Sequence, residues 1–221
     1  MKYAVLFGTL AALFLLAAFI HSFLAIPLIW AAISFSIIAV GYAGAGPSVT
    51  GKKSDGSFRV MYIAPLLPYL LYTWLVWHLY RILKREDAYN RVTDEIIVGR
   101  RLLANEIPED IDCYVDLTAE FVDPAIIRRT NAYLCFPILD ASTPDSDKLS
   151  KAINLAANGK VYIHCAQGHG RTGLFAVALL VRRGLAGDLD EALRELRKAR
   201  PGIDLNNEQR EFIEQYLSGK S

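Results

Sequence analysis

The chain has 221 residues, 53% of them hydrophobic, and a formal charge of +1 at pH 7. That length holds one ordinary domain with something added, and a near-neutral balance argues against a nucleic-acid partner bound by overall electrostatics. A positive mean hydropathy is more than a single soluble domain requires, so the excess must have a location. Three cysteines, Cys113, Cys135 and Cys165, show neither paired spacing nor a zinc-type cluster, and neither a disulfide scaffold nor a bound metal is expected.

The apolar excess lies at the front. Residues 3–45 contain no Asp, Glu, Lys or Arg. A single straight helix of that length would be roughly twice as long as the hydrocarbon core is thick, so the run must turn back. His21 and Ser22, with Pro27 shortly after, mark the turn and predict two spans over residues 3–20 and 23–45. A cleaved leader is disfavoured: only Lys2 precedes the run, the run is too long, and no Ala-x-Ala site ends it. Residues 46–59 read as a Gly/Ser/Pro/Lys loop. Residues 60–80 form a third apolar run, rich in Tyr and Trp and carrying Pro65 and Pro68. It suits a kinked third span or a helix lying in the membrane surface. The flanking Lys and Arg residues tie on the two sides, so charge does not orient the spans.

Beyond residue 85 the composition becomes that of an α/β domain, and the chain divides into an anchor (1–85) and a second domain (86–221). Residues 95–98, 113–117 and 133–138 read as strands, residues 148–157 as a helix, and residues 161–164 as a β-branched strand. Residues 173–183 are apolar enough to be a buried central helix. Asp188 and Glu191 form a capping-box pattern for a helix over residues 189–199, which Arg200-Pro201-Gly202 stops. Asn206 or Asn207 caps a last helix that runs to Leu217. The expected fold is a central, mostly parallel sheet flanked by helices, preceded by two or three transmembrane helices.

The stretch Val161-Tyr-Ile-His164-Cys165-Ala166-Gln167-Gly168-His169-Gly170-Arg171-Thr172-Gly173 carries the chemistry. A strand delivers a cysteine, five residues loop round, an arginine follows, and an apolar helix begins. Glycines let the backbone turn its amides inward, which makes an anion-binding nest at a helix N-terminus from residues 166–170. Arg171 adds a planar fork matching two phosphate oxygens. The same field should lower the pKa of Cys165 and leave it largely ionised at neutral pH. Thr172 is placed to hydrogen-bond the sulfur, and His164 is expected to orient the loop by bonding to backbone.

In these residues the sequence resembles the cysteine-dependent protein tyrosine phosphatase superfamily, in its small dual-specificity branch, whose signature is His-Cys-x5-Arg-[Ser/Thr]. The resemblance covers about residues 91–217. It implies that Cys165 forms a phosphocysteine intermediate, that Arg171 binds phosphate and stabilises the transition state, and that neither metal nor cofactor is needed. It also points to Asp140, just after a strand ending Pro137-Ile138, as the acid. Expelling an alkoxide or phenolate needs a proton, and the following step needs a base for water, which one loop carboxylate can supply in turn. Asp145 is the alternative acid, and both could instead cap the helix at Lys148. Gln209 falls where some relatives keep a water-positioning glutamine, but a solvated helix face explains it as well. Asp116 suits strand-end hydrogen bonding. Arg182, Arg183, Arg194, Arg197, Lys198 and Arg200 could form a basic face towards anionic lipid or a plain solvated surface.

The implied function is a membrane-anchored phosphomonoesterase of the tyrosine or dual-specificity protein phosphatase type. A lipid monophosphate phosphatase of the same fold is the alternative. Relatives acting on polyphosphorylated lipids usually carry lysines in this loop, where the chain has Ala166 and His169. A rhodanese-type sulfur-transfer enzyme would have no use for Asp140 or Thr172. A non-catalytic phosphate-binding module would need neither nucleophile nor acid, and an RNA 5′-triphosphatase fits a neutral membrane protein poorly. The expected partners are a phosphorylated protein or lipid and the bilayer. A reactive thiol favours a reducing compartment and hence a cytoplasmic catalytic domain. Cys113 and Cys135 are open candidates for a protective disulfide with Cys165.

Overall fold

A computed structural model describes residues 1–130 and 132–219, which fall into two units. One comprises Met1–Lys53, Ser57–Arg85 and Ala119–Phe121; the other comprises Ser54–Gly56, Glu86–Thr118 and Val122–Ser221.

The first unit is built from helices α1 (Lys2–Ile20), α2 (Ala25–Val40) and α3 (Val60–Leu83). Three helical stretches in it, Lys2–Ile20, Ser22–Thr50 and Val60–Leu83, are long and apolar enough to cross a membrane. The turn falls where the polar pair predicts: α1 ends at His21, whose backbone leaves the helical region. After α2 the chain widens into a looser turn over Gly41–Ala45 and leaves it at Gly44, where φ is +136°. Such a φ suits glycine and almost nothing else.

The prolines of α3 do not break it, and the reason is visible. Pro68 has no N–H to give the carbonyl of Ala64, one turn back, so that oxygen needs another donor. The indole N–H of Trp30, on α2, takes it at 2.8 Å. One residue on, the amide of Tyr69 donates to Ser34 Oγ at 3.1 Å. Side chains of one helix thereby satisfy backbone groups freed on another, as apolar surroundings require. Phe35, Ile38, Leu66 and Tyr69 are buried around these bonds, and the rings of Phe35 and Tyr69 meet edge to face.

The second unit is a five-stranded sheet in the order β1-β2-β5-β3-β4 with helices packed on it: β1 (Tyr89–Arg91), β2 (Ile96–Arg100), β3 (Cys113–Thr118), β4 (Tyr133–Ile138) and β5 (Val161–Cys165). Only the β1–β2 pairing is antiparallel. The expected mostly parallel sheet is therefore what forms, with the strand Tyr89–Arg91 added at its edge. Tyr-Asn-Arg has no apolar alternation to announce it; its partner, the buried β2, makes it a strand. The helices are α4 (Ala125–Arg128), α5 (Ser146–Leu155), α6 (Gly170–Arg182), α7 (Leu189–Ala199) and α8 (Asn207–Leu217). Helix α6 is buried from Arg171 to Leu180, the central helix its composition predicts, but it starts three residues earlier than the apolar run. Its first turn therefore lies inside the Cys165–Arg171 signature.

Two capping expectations are refined. Asp188 accepts from the amide of Glu191, but the Glu191 carboxylate reaches back to Gly187 N–H, one residue beyond a capping box. The reciprocal box is at α8, between Asn206 and Gln209. Strand register also answers the cysteine question. Cys113 lies opposite Val161, four residues from Cys165, or about 13 Å along the strand. Cys135 lies beside Asp116, which lies beside His164, so about two strand spacings (~10 Å) separate it from that end of β5. A disulfide needs Cα atoms within about 7 Å, and neither cysteine can bridge to Cys165 in this fold.

Replacing Trp30 by Phe keeps an aromatic ring but removes the donor to Ala64. The cost should be about 0.5–1.5 kcal/mol, the net contribution of one hydrogen bond, read as a lower unfolding midpoint of the full-length protein in detergent.

Candidate active site

Strand β5 is central, with β2 and β3 as neighbours, and its C-terminal end carries Cys165 into the crevice where open α/β sheets place their ligands. The chain then loops over residues 166–169 and enters α6. Gly168 has φ +77°, and a Cβ there would come within 2.4 Å of the Gly99 backbone, so the loop closes against β2 only with glycine. Its amide donates to Cys165 Sγ at 3.2 Å.

Cys165 is only 3% exposed. Burial alone would push its pKa up. The Arg171 guanidinium, the Thr172 hydroxyl and the backbone N–H of His169 more than offset burial and the opposing charge of Asp140, and the net shift is downward. This is the outcome expected of a thiol at a helix N-terminus beside a cation. The contrast with Cys113 is informative: buried without such a field, its pKa is pushed up to about 11.

Arg171 is 1% exposed. Its Nη1 donates to the carbonyl of Ile138 at 3.0 Å, and its Nε lies 3.2 Å from Asp140 Oδ1. The guanidinium is thus fixed from the side of β4, and the 72%-exposed Asp140 carboxylate stands over it. The other candidate acid, Asp145, is engaged elsewhere: its carboxylate accepts from Lys148 N at 2.9 Å as the N-cap of α5. The structure therefore brings Cys165, Arg171 and Asp140 together and assigns Asp145 the capping role.

His164 is buried, and its Nε2 lies 3.0 Å from Asp123 Oδ2. A carboxylate only accepts, so Nε2 carries the proton. The partner expected from sequence is backbone; the structure sets the Asp123 carboxylate there. The Asp123 carboxylate also receives the Tyr133 hydroxyl at 3.3 Å, and that hydroxyl sits 2.6 Å from Asp116 Oδ2. Burial and then the two carboxylates push the Tyr133 pKa far above the usual phenol value, so Tyr133 remains a donor. Asp116 Oδ1 in turn accepts from Thr118 N and Oγ1, the strand-end role foreseen for it. Asp116, Asp123 and His164 also form a group of possible metal-ligating atoms, all buried. Tyr133, Thr118 and one another already engage these atoms, and the arrangement reads as a hydrogen-bonded support beneath the loop.

Arg200 is the largest departure from the sequence reading. Placed on a basic outer face, it is instead 3% exposed. Its Nε donates to Gly168 O and its Nη2 to Gln167 O, both at 3.0 Å, while Nη1 bonds Asp87 O and Asn90 Oδ1. Holding two loop carbonyls outward turns the neighbouring amides the other way. Glu86 completes the support, 3.3 Å from Arg200 and 2.8 Å from His169 Nε2. Arg183 is likewise tied to Glu95, Ala156 O and Gly159 O. Arg197 pairs with Asp204 and Lys198 with Glu195. Of the two readings of this run, these pairings favour dispersed charges over a continuous basic face. Nothing local distinguishes Arg200 from a solvated arginine at a helix end; only long-range packing does.

Known proteins share this sequence region and this fold. A family model described as "Tc-R-P: Polymorphic toxin system, DSP-PTPase phosphatase" matches residues 102–185. A protein of Invertebrate iridescent virus 6 named for tyrosine phosphatase activity, 197R, is 35% identical over 82 residues, which are 32% of this chain and 31% of the viral protein. The chain thus spans about a third of that relative. Human DUSP28 superposes with a TM-score of 0.50 at 18% identity, covering 61% of this chain and 95% of DUSP28. PTPMT1, crystallised with PI(5)P, gives 0.52 at 17% identity, covering 61% and 97%. At these identities the structural likenesses establish the fold.

The second unit has the architecture of a cysteine-dependent phosphatase. Within that class, residues 102–185 are similar to the dual-specificity type described by the matching family model, and the fold is the one DUSP28 shares.

A lowered pKa keeps the thiolate populated as pH falls below the ordinary cysteine value, until the lowered pKa is reached. Iodoacetamide should therefore label Cys165 at pH 6 about tenfold or more faster than a free thiol. Arg171→Ala removes the largest lowering influence and should return the rate towards that of free cysteine. Arg200→Met should weaken inorganic phosphate binding by about tenfold while leaving the pH dependence of labelling largely in place, because Arg171 and Thr172 remain.

Proposed function

We propose that the protein is a membrane-anchored phosphomonoesterase in which the Cys165 thiolate attacks the phosphorus of a phosphate monoester. The observation that carries this reading is the meeting of three groups at one loop: a thiol with lowered pKa, a buried guanidinium, and a carboxylate 3.2 Å from that guanidinium. Asp140 pairs with Arg171. An arriving phosphate takes the guanidinium and the amides of residues 166–170, and Asp140 is released to face the leaving oxygen. Once displaced from the guanidinium Asp140 takes up a proton from solvent, and as the S–P bond forms and the P–O bond breaks it gives that proton to the departing alkoxide or phenolate. The resulting carboxylate then accepts a proton from water, whose oxygen attacks the phosphocysteine; inorganic phosphate leaves and the thiolate is restored.

One guanidinium in the loop suits one phosphate. His169, the remaining basic side chain there, is held by Glu86, and no lysine lies between Cys165 and Thr172. This supports an isolated phosphomonoester, most simply a phosphotyrosine or phosphoserine/threonine side chain. A lipid monophosphate is the second reading. Three helices able to cross a membrane favour it, because tethering raises the effective concentration of any substrate at the bilayer. The fold shared with PTPMT1, crystallised with PI(5)P, is compatible with it. The anchor is read as integral, with the catalytic unit on the reducing, cytoplasmic side.

Cys165→Ser should abolish turnover of p-nitrophenyl phosphate while phosphate or vanadate still binds; retained turnover would remove Cys165 from the mechanism. Asp140→Asn should slow phenyl phosphate by about 10²–10⁴ and p-nitrophenyl phosphate much less, because a good leaving group needs little protonation. A panel of phosphopeptides against monophosphorylated lipids in mixed micelles, run on the full-length protein, decides between the two substrate classes.

A further inference from the structure

The acid loop is a tight turn. Leu139 O accepts from Ser142 N at 3.1 Å and from Ser142 Oγ at 2.8 Å, with Asp140 and Ala141 at its tip. Ala141 has φ +56°, a left-handed conformation that an alanine adopts only under constraint. Such a turn would relax and carry Asp140 away from Arg171 unless something held it.

What holds it is the N-terminus of α8. Asn206 and Gln209 form a reciprocal capping box: Asn206 Oδ1 accepts from Gln209 N at 2.9 Å, and Gln209 Oε1 faces Asn206 N at 3.3 Å. Capping consumes only the two side-chain oxygens. The two amide nitrogens remain, and both turn to the acid loop. Asn206 Nδ2 donates to Ala141 O at 2.8 Å, and Gln209 Nε2 donates to Ser142 O at 3.2 Å. Gln209 is 1% exposed, which overturns the solvated-face reading and leaves its amide with two engaged ends. A Cβ on Gly170 would come to 3.2 Å of Gln209 Oε1, so the same side chain abuts the phosphate loop.

We infer that Asn206 and Gln209 are positioning residues that latch the Asp140 turn against the phosphate loop. Their use of amides has a chemical reason. Asp and Glu would serve the capping box equally well, but only Asn and Gln keep a donor in reserve. The inference rests on the acid role proposed for Asp140.

The test follows from that distinction. Asn206→Asp and Gln209→Glu keep the capping oxygens but replace each latch donor with an oxygen that repels the loop carbonyl. In the full-length protein the double variant should lose about 10–100-fold in kcat on phenyl phosphate and no more than about threefold on p-nitrophenyl phosphate, imitating Asp140→Asn in weaker form. Asn206→Gln, which retains a donor, should recover part of the loss. A proportional fall on both substrates, or no fall, overturns the latch. Amide exchange at Ala141 and Ser142 reads it independently of turnover, and should speed up by about tenfold in the double variant while α6 is unchanged. Unchanged exchange overturns the latch even if the enzyme is active. If the wild type hydrolyses neither ester but exchange responds, the phosphatase reading fails and the latch stands.

Discussion

A guanidinium buried next to a thiol is the interaction on which the catalytic unit depends. Taking a charge out of water costs several kcal/mol unless it is paired and hydrogen-bonded. Arg171 is therefore held by Ile138 O and Asp140 and set in the first turn of a helix buried from Arg171 to Leu180. The remaining machinery follows from keeping that cation where it is. A phosphate can replace Asp140 at the guanidinium without a new charge being buried alone, and the helix N-terminus adds its amides to the same point.

Two layers of support keep the loop in shape. From below, His164, Asp123, Tyr133 and Asp116 form a buried polar chain of hydrogen bonds. From the side, Arg200 spends its donors on two loop carbonyls and on the segment around Asp87 and Asn90. A buried network of this kind rigidifies only when its members are satisfied, since an unpaired member in a low-dielectric interior is costly. The acid turn is supported differently, by two amides that also cap a helix. Local helix chemistry and site geometry there share the same side chains.

The helical unit follows a parallel logic. Two prolines in one 24-residue helix would leave backbone carbonyls without partners, and Trp30 and Ser34 supply bonds across the interface with the neighbouring helix. The cost of an unsatisfied group is what makes these polar contacts specific.

Much of this was legible in the sequence, because it rests on local rules. The ends of β4 and α7 coincide with their apolar runs and stop signals, the turn at His21 follows from a length that one helix cannot span, and the cysteine loop is announced by glycines between a β-branched strand and an apolar helix. The residues that hold the site were legible only in part or not at all. Asp123, Arg200, Asn206 and Gln209 lie about 40 residues either side of the loop or at helix ends, where each looks like an ordinary turn, solvated or capping residue. Their roles arise from which strand ends and helix termini converge, and nearest-neighbour patterning carries no information about that. Sequence alone singled out the cysteine loop between a strand and an apolar helix, and three stretches apolar enough for a bilayer. Tertiary structure alone set Asp140 beside Arg171 and Asp145 at a helix cap, turned Arg200 inward, and gave two capping amides a second set of partners, because burial and long-range hydrogen bonding are properties of the packed chain.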